Sequence, residues 1–240
     1  MGYLKRTKAP KFWPIKRKGA VFTAKPSPGP HPIHTSIPLI ILVRDVLKFA
    51  DVAREANAII KQGKILVDKK PRKDRNFPVG LMDAVEIPEA KKFMRALIST
   101  KGLRFEDINE SEAGKKICRI ENKTTVKHGL LQLNLHDGRN ILTENKEYST
   151  GDSLLLQIPE QNIIEHYKMA EGCPAIIIGG KNIGLQGKIS KLEKRETLLE
   201  KNKIILEVNG HKTETLKKYI LVTGNSGSIP SHDRPRKQRK

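Results

Sequence analysis

Acid is missing from the start of this chain. The first 44 residues carry nine Lys or Arg and no Asp or Glu, and the first carboxylate is Asp45. A segment so one-sided repels itself in water unless a polyanion neutralises it. Cysteine is almost absent too. Cys118 and Cys173 are the whole supply; a disulfide between them is possible on paper, but so sparse a count fits a reducing cytosol better. Neither has a second Cys or His beside it, so they make no zinc site and read as small hydrophobes. Long apolar runs are lacking. The longest, Ile37–Val43, is interrupted by Pro38 and falls far short of the ~20 residues a spanning helix needs. No apolar stretch follows the N-terminal charges directly, so no secretory signal is expected.

Catalytic patterns are equally scarce. The seven histidines contain no His-Glu-x-x-His, and no serine lies in Gly-x-Ser-x-Gly. The acids of Asp107–Glu112 have too little apolar sequence around them to shift a pKa for acid–base work, and read as solvated charge. The glycine-rich run 171–189, EGCPAIIIGGKNIGLQGKI, fails both nucleotide motifs. Gly179 and Gly184 have phosphate-loop spacing, but Leu185 stands where Lys must follow. Gly184 and Gly187 match the last two glycines of a dinucleotide fingerprint, but Asn182 replaces the first. No catalysis, cofactor, metal or small-molecule substrate is expected.

What the chain does have is positive charge. Its 46 Lys+Arg face 26 Asp+Glu, for a formal charge of +20. Such a surplus concentrates polyanions around a protein. Membrane binding would call for an amphipathic basic helix with apolar residues opposite. The N-terminal Lys and Arg instead sit among Pro and Gly, so nucleic acid is the expected partner and membrane is not. Residues 1–38 read as an extended basic arm. Within it Pro26, Pro28, Pro30 and Pro32 alternate, which favours polyproline II. Lys5, Arg6, Lys8, Lys11 and the cluster Lys16-Arg17-Lys18 are its candidate phosphate contacts. Trp13, with Tyr3, Phe12 and Phe22, is a candidate for stacking on bases. The arm is expected to be disordered alone and fixed by its partner.

At Ser36 the pattern turns helical. Pro38 fits a first turn that Ser36 can cap. Leu39, Leu42, Val43, Val46 and Leu47 then recur at helical spacing as an amphipathic stripe. A second helix starts near Asp51, buries Val52, Ala56, Ile59 and Ile60, and ends at a left-handed Gly63. A strand, Lys64–Val67, a turn at Asp68-Lys69 and a further strand over Val79–Ile87 follow. This order, with KQGKILVDKKP and then VGLMDAVEIP, resembles the alpha-L RNA-binding domain of the bacterial small-subunit ribosomal protein four. That resemblance implies phosphate contacts from Arg44, Arg54, Lys61 and the cluster Lys69, Lys70, Arg72, Lys73 and Arg75. Seven Lys or Arg against Asp68 and Asp74 leave residues 61–75 at +5, which supports the group.

Residues 93–170 predict short strands about every ten residues. Leu130–Leu135 alternates as a half-buried strand, and Asp137-Gly138 marks a hairpin. The run 171–189 resembles the KOW motif, a glycine-bridged strand pair of a small SH3-like barrel. Lys181 and Asn182 at its tip are the natural contacts. Beyond the linker at 224–228, Arg234, Arg236 and Lys237 form a second basic arm.

Led by LKRTKAPKFWPI and PSPGPHPIHTSIPLIILVRDVLKFA, the chain resembles end to end the archaeal and eukaryotic family of small-subunit ribosomal protein four. Its short C-terminal part fits an archaeal member. The resemblance implies a multi-domain α+β fold: arm 1–38, alpha-L domain 39–92, β-rich central domain 93–170, KOW SH3-like barrel 171–224 and basic tail 225–240. It implies a structural role, with small-subunit rRNA and neighbouring small-subunit ribosomal proteins as partners, in the cytoplasm on the ribosome. Two other classes stay open. A KOW elongation factor would bind RNA polymerase. An RNA-modifying enzyme would need a catalytic domain, for which the assigned stretches leave no room.

Overall fold

In the computed structural model, residues 3–193, 202–208 and 210–224 are described. The tail residues Arg234, Arg236 and Lys237 lie outside them. The arm contributes β1 (Leu4–Lys5) and β2 (Phe22–Thr23), which pair antiparallel, then β3 (Ile37–Pro38). Two helices follow, α1 (Leu39–Ile41) and α2 (Ala53–Lys61), and later α3 (Glu110–Ala113). Strands β4 (Leu66–Val67), β5 (Lys70–Pro71), β6 (Pro78–Val79), β7 (Ala84–Ile87), β8 (Lys92–Ser99) and β9 (Gly102–Asp107) come next. β6 pairs with β3, while the others form one sheet in the order β5-β4-β7-β8-β9. The division expected at residue 92 therefore falls on the first residue of a strand in a continuous sheet, which runs to Asp107.

The first helix differs from expectation. It tightens for only Leu39–Ile41 and then widens through Leu42–Val46, where the Leu47 N–H reaches the Leu42 carbonyl at 2.9 Å. Leu39, Leu42 and Val43 of the expected stripe are buried and Val46 and Leu47 pack against the same core, but Ile40 and Ile41 are buried as well, so the covered surface is wider than a stripe. The Phe77 and Arg75 carbonyls accept from the Leu39 and Ile40 N–H groups, which the start of a helix leaves without an internal partner. Ser36 does not cap; its hydroxyl bonds the Pro32 carbonyl at 2.9 Å, and Pro38 is strand. α2 behaves as read. Glu55 accepts from the Asp51 and Val52 N–H groups at its start, and Gly63 ends it at φ +74.

A second sheet, β12-β11-β10-β13-β14, uses β10 (Lys115–Thr125), β11 (Leu131–Leu135), β12 (Asn140–Thr143), β13 (Ser153–Gln157) and β14 (Asn162–Tyr167). On β11, Leu131, Leu133 and Leu135 point inward and Gln132 and Asn134 outward, the alternation of a strand with one wet face. A third sheet, β18-β17-β16-β15-β19, uses β15 (Pro174–Ile177), β16 (Gln186–Glu193), β17 (Lys203–Val208), β18 (His211–Leu216) and β19 (Ile220–Val222). Each sheet has its own apolar core. A further cluster joins them: Leu81, Met82 and Leu97 of the first, Ile117 and Leu155 of the second, Ile176 and Leu221 of the third. The sheets are thus packed against one another through apolar contact rather than strung on linkers.

The arm is folded onto the first sheet. Trp13 is 3% exposed inside the core that holds Ile37, Ile40 and Ile60, and its indole N–H donates to the Ser36 carbonyl at 2.8 Å. Phe12 lies so close to Gly102 that a Cβ there would collide with it. A ring shut away from water cannot stack on a base, so Trp13 leaves the set of candidate stacking groups.

Candidate nucleic-acid interface

The first and second sheets meet around a buried ammonium. Lys116 on β10 stands 2.8 Å from Asp68, 2.6 Å from Asp83 and 3.1 Å from Asp137. Arg139 reaches Asp68 at 2.7 Å and Asp137 at 3.3 Å, and His31 of the arm reaches Asp83 at 3.0 Å. Asp68 is placed by a two-residue turn between the paired Val67 and Lys70, with Asp68 at φ 52 and Lys69 at φ 61. Positive φ at both positions matches the twist of a tight hairpin. Asp137 and Arg139 come from the β11–β12 turn, opened by Gly138 at φ 78.

The electrostatics of this cluster are set by burial and mutual attraction. Burial pulls the Lys116 amine down, but Asp83 and Asp68 outweigh it and hold its pKa well above the ordinary value. Burial pushes Asp83 up, yet Lys116 and then His31 carry its pKa well below the usual carboxylate range. Asp137 is lowered to about 2; burial opposes the shift, and Lys116 is the chief cause of it. Lys116, Asp83 and Asp137 therefore stay ionised, in a network that joins arm, first sheet and second sheet.

Of the expected contact residues, Lys70 and Arg72 line the same cleft as Lys116. Lys5, Lys8, Lys11, Lys16, Lys18, Arg54, Lys61, Lys70, Lys73, Arg75 and Lys181 are exposed. Arg6, Arg72 and Asn182 are half-buried. Three others have protein partners. Arg17 donates to the Thr7, Ala9 and Pro10 carbonyls and so folds the arm. Arg44 pairs with Asp45 at 2.8 Å, and Lys69 with Glu86 at 3.0 Å. Lys70, Lys73 and Arg75 have no ion-pair partner among the described residues. Arg72 lies over the Phe77 ring, 4.3 Å from its centroid.

The glycine loop between β15 and β16 is built against protein. A Cβ on Gly184, at φ +82, would collide with the Ser99–Thr100 backbone, and one on Gly179 with Tyr219. Only the tip, Gly180 and Lys181, is exposed. Sequence reasoning missed Lys116, Arg139 and His31. The Asp137-Gly138-Arg139 turn was visible, but nothing local shows that it packs on residues about seventy positions earlier.

Comparison with known proteins matches three segments of the chain. Residues 3–34 match the RS4NT (NUC023) domain, 39–85 the S4 domain and 90–163 the Ribosomal family S4e. The small ribosomal subunit protein eS4 of Methanothermobacter thermautotrophicus is 46% identical over 231 residues, covering 95% of each chain. That of Ignicoccus hospitalis is 48% identical, covering 92% of this chain and 91% of the relative. The crystal structure of the 30S ribosomal protein S4e from Thermoplasma acidophilum superposes with a TM-score of 0.70 at 30% identity, over 80% of this chain and 96% of that one. Matched along nearly its full length by such relatives, the chain belongs to the family of small ribosomal subunit protein eS4.

Proposed function

We propose that this chain is a structural constituent of the small ribosomal subunit that binds small-subunit rRNA, acts in the cytoplasm beside neighbouring ribosomal proteins, and catalyses nothing. The observation that carries the reading is the run of exposed cations without ion-pair partners among the described residues, Lys70, Lys73 and Arg75, of which Lys70 lines the same cleft as Lys116. Positive groups with no internal counter-ion attract phosphate most strongly, because each contact releases a condensed counterion. Lys5, Arg6, Lys8, Lys11, Lys16, Lys18, Arg54, Lys61, Arg72 and Lys181 extend the footprint. Residues 171–224 serve as a KOW-type module. Recognition works through RNA shape and backbone, because side chains cannot read the narrow A-form major groove.

Sucrose-gradient sedimentation of cell extracts tests this. The chain should co-migrate with small subunits and remain through a high-salt wash. Migration with RNA polymerase instead would assign it to the elongation factors.

A further inference from the structure

Where arm, first sheet and second sheet meet, a cleft of about 360 Å³ opens. Gly29 and Pro30 of the arm form one wall, Lys70 and Arg72 a second, and Arg139 a third, with Lys116 at its base. It is far too narrow for a duplex but of a size that small-molecule sites commonly have.

Its free hydrogen-bonding capacity is that of donors. Asp68 accepts from the Ala84 N–H with one oxygen, and from Lys116 and Arg139 with the other. Asp83 accepts from the Gly80 N–H with one oxygen, and from Lys116 and His31 with the other. Asp137 is held by the Arg139 N–H on one oxygen and by Lys116 and the Arg139 side chain on the other. No carboxylate oxygen is left over. Donors are. Arg139 Nη1 and Arg72 Nε are buried without a hydrogen-bond partner, and Lys70 is exposed without an ion-pair partner among the described residues. Four cations, Lys70, Arg72, Lys116 and Arg139, face three carboxylates. A cleft of this kind rejects cations and welcomes an anion, and guanidinium groups match the geometry of phosphate oxygens.

We propose that this cleft receives one unpaired RNA nucleotide by its phosphodiester group, with Lys70, Arg72 and Arg139 as donors. The proposal rests on the RNA-binding reading above and deepens it. It adds Arg139, from the β11–β12 turn of the second sheet, to a contact surface otherwise drawn on the arm, the first sheet and the glycine loop of the third. All three walls belong to segments that the Lys116 network holds together, so the site exists only when the junction is assembled.

The test uses the full chain and a transcript of the Methanothermobacter thermautotrophicus small-subunit rRNA. Gln161 lines the cleft, while Asn162, the next residue, is exposed and outside its lining. Gln161→Glu and Asn162→Glu change the net charge equally, so only proximity to the cleft separates them. Q161E should weaken binding about tenfold more than N162E, the scale of one charge-assisted phosphate contact. K70Q should lower the slope of log K against log salt by about 0.7 to 0.9, the loss of one phosphate contact. Thermal melting confirms that each variant is folded; K70Q serves alone should Q161E fail there. Equal losses in Q161E and N162E, or an unchanged slope in K70Q, would overturn the proposal. A third arm adds inorganic phosphate alone. Stabilisation of the wild type but not of K70Q, with rRNA affinity unmoved in both variants, would assign the cleft to a free anion and overturn the RNA contact. A wild type that fails to bind the transcript at all would remove the broader reading instead.

Discussion

Lys116 Nζ lies 2.6 Å from Asp83 Oδ1, and both side chains are almost wholly out of water. The two belong to different sheets, β10 and the turn before β7. Their pairing is a tertiary clamp rather than a surface ornament. Removing the cation alone would leave Asp83 facing only His31, and Asp68 and Asp137 facing only Arg139. Lys116→Met should therefore lower stability by about 3–5 kcal/mol, the usual penalty for stranding buried charge. Urea unfolding measures it. A loss below about 1 kcal/mol would mean the cluster behaves as a solvated surface pair.

Acid should loosen the fold in two stages. Burial pulls the His136 imidazole down to about 4 in the folded chain, against about 6.5 when exposed. Between those values the unfolded chain binds a proton that the folded chain refuses, so stability falls as pH drops through that window. The second stage belongs to Asp137 and Asp83, whose folded values lie below the ordinary carboxylate value. Their contribution is complete above about pH 4 and is lost as pH falls toward the folded values. Urea midpoints followed from pH 7 to 3 check both stages. His136→Gln should flatten the first and leave the second.

Trp13 offers a direct view of the arm, because it is the only Trp. Its burial predicts blue-shifted fluorescence in the free protein, little changed when rRNA is added. A solvent-exposed emission that quenches on RNA addition would restore the stacking role. Trp13→Ala should cost about 3–5 kcal/mol, as large core truncations do. Trp13→Phe should cost nearer 1 kcal/mol through the lost bond to the Ser36 carbonyl.

The charge layout and the order of small units were legible because they are written locally. Alternation placed β11, Gly63 placed the end of α2, and Asp137-Gly138 placed a hairpin. What local pattern cannot carry is who covers whom. The stripe from Leu39 to Leu47 reads as one covered face of a helix, yet Ile40 and Ile41 beside it are buried too. Trp13 looks like a stacking ring until the core around Ile37 and Ile60 encloses it. Lys116 looks like any lysine of a basic chain, and only its three carboxylate neighbours, drawn from positions 68, 83 and 137, mark it as structural.

The glycine loop separates packing from binding within four residues. Gly184 at φ +82 lies against the backbone of Ser99 and Thr100, so an added methyl meets both strain and overlap. Gly184→Ala should lower stability by about 2 kcal/mol or more, from left-handed backbone strain and overpacking together. Lys181 is exposed and has no ion pair among the described residues. Lys181→Gln should leave the melting temperature within error. If the tip meets RNA, that substitution should lower the slope of log K against log salt by about 0.7 to 0.9. Filter binding of both variants across a salt series, beside their melting curves, decides it. A loop used only for packing would leave the K181Q slope equal to that of the wild type, whereas a loop used only for RNA would leave the G184A melting temperature untouched.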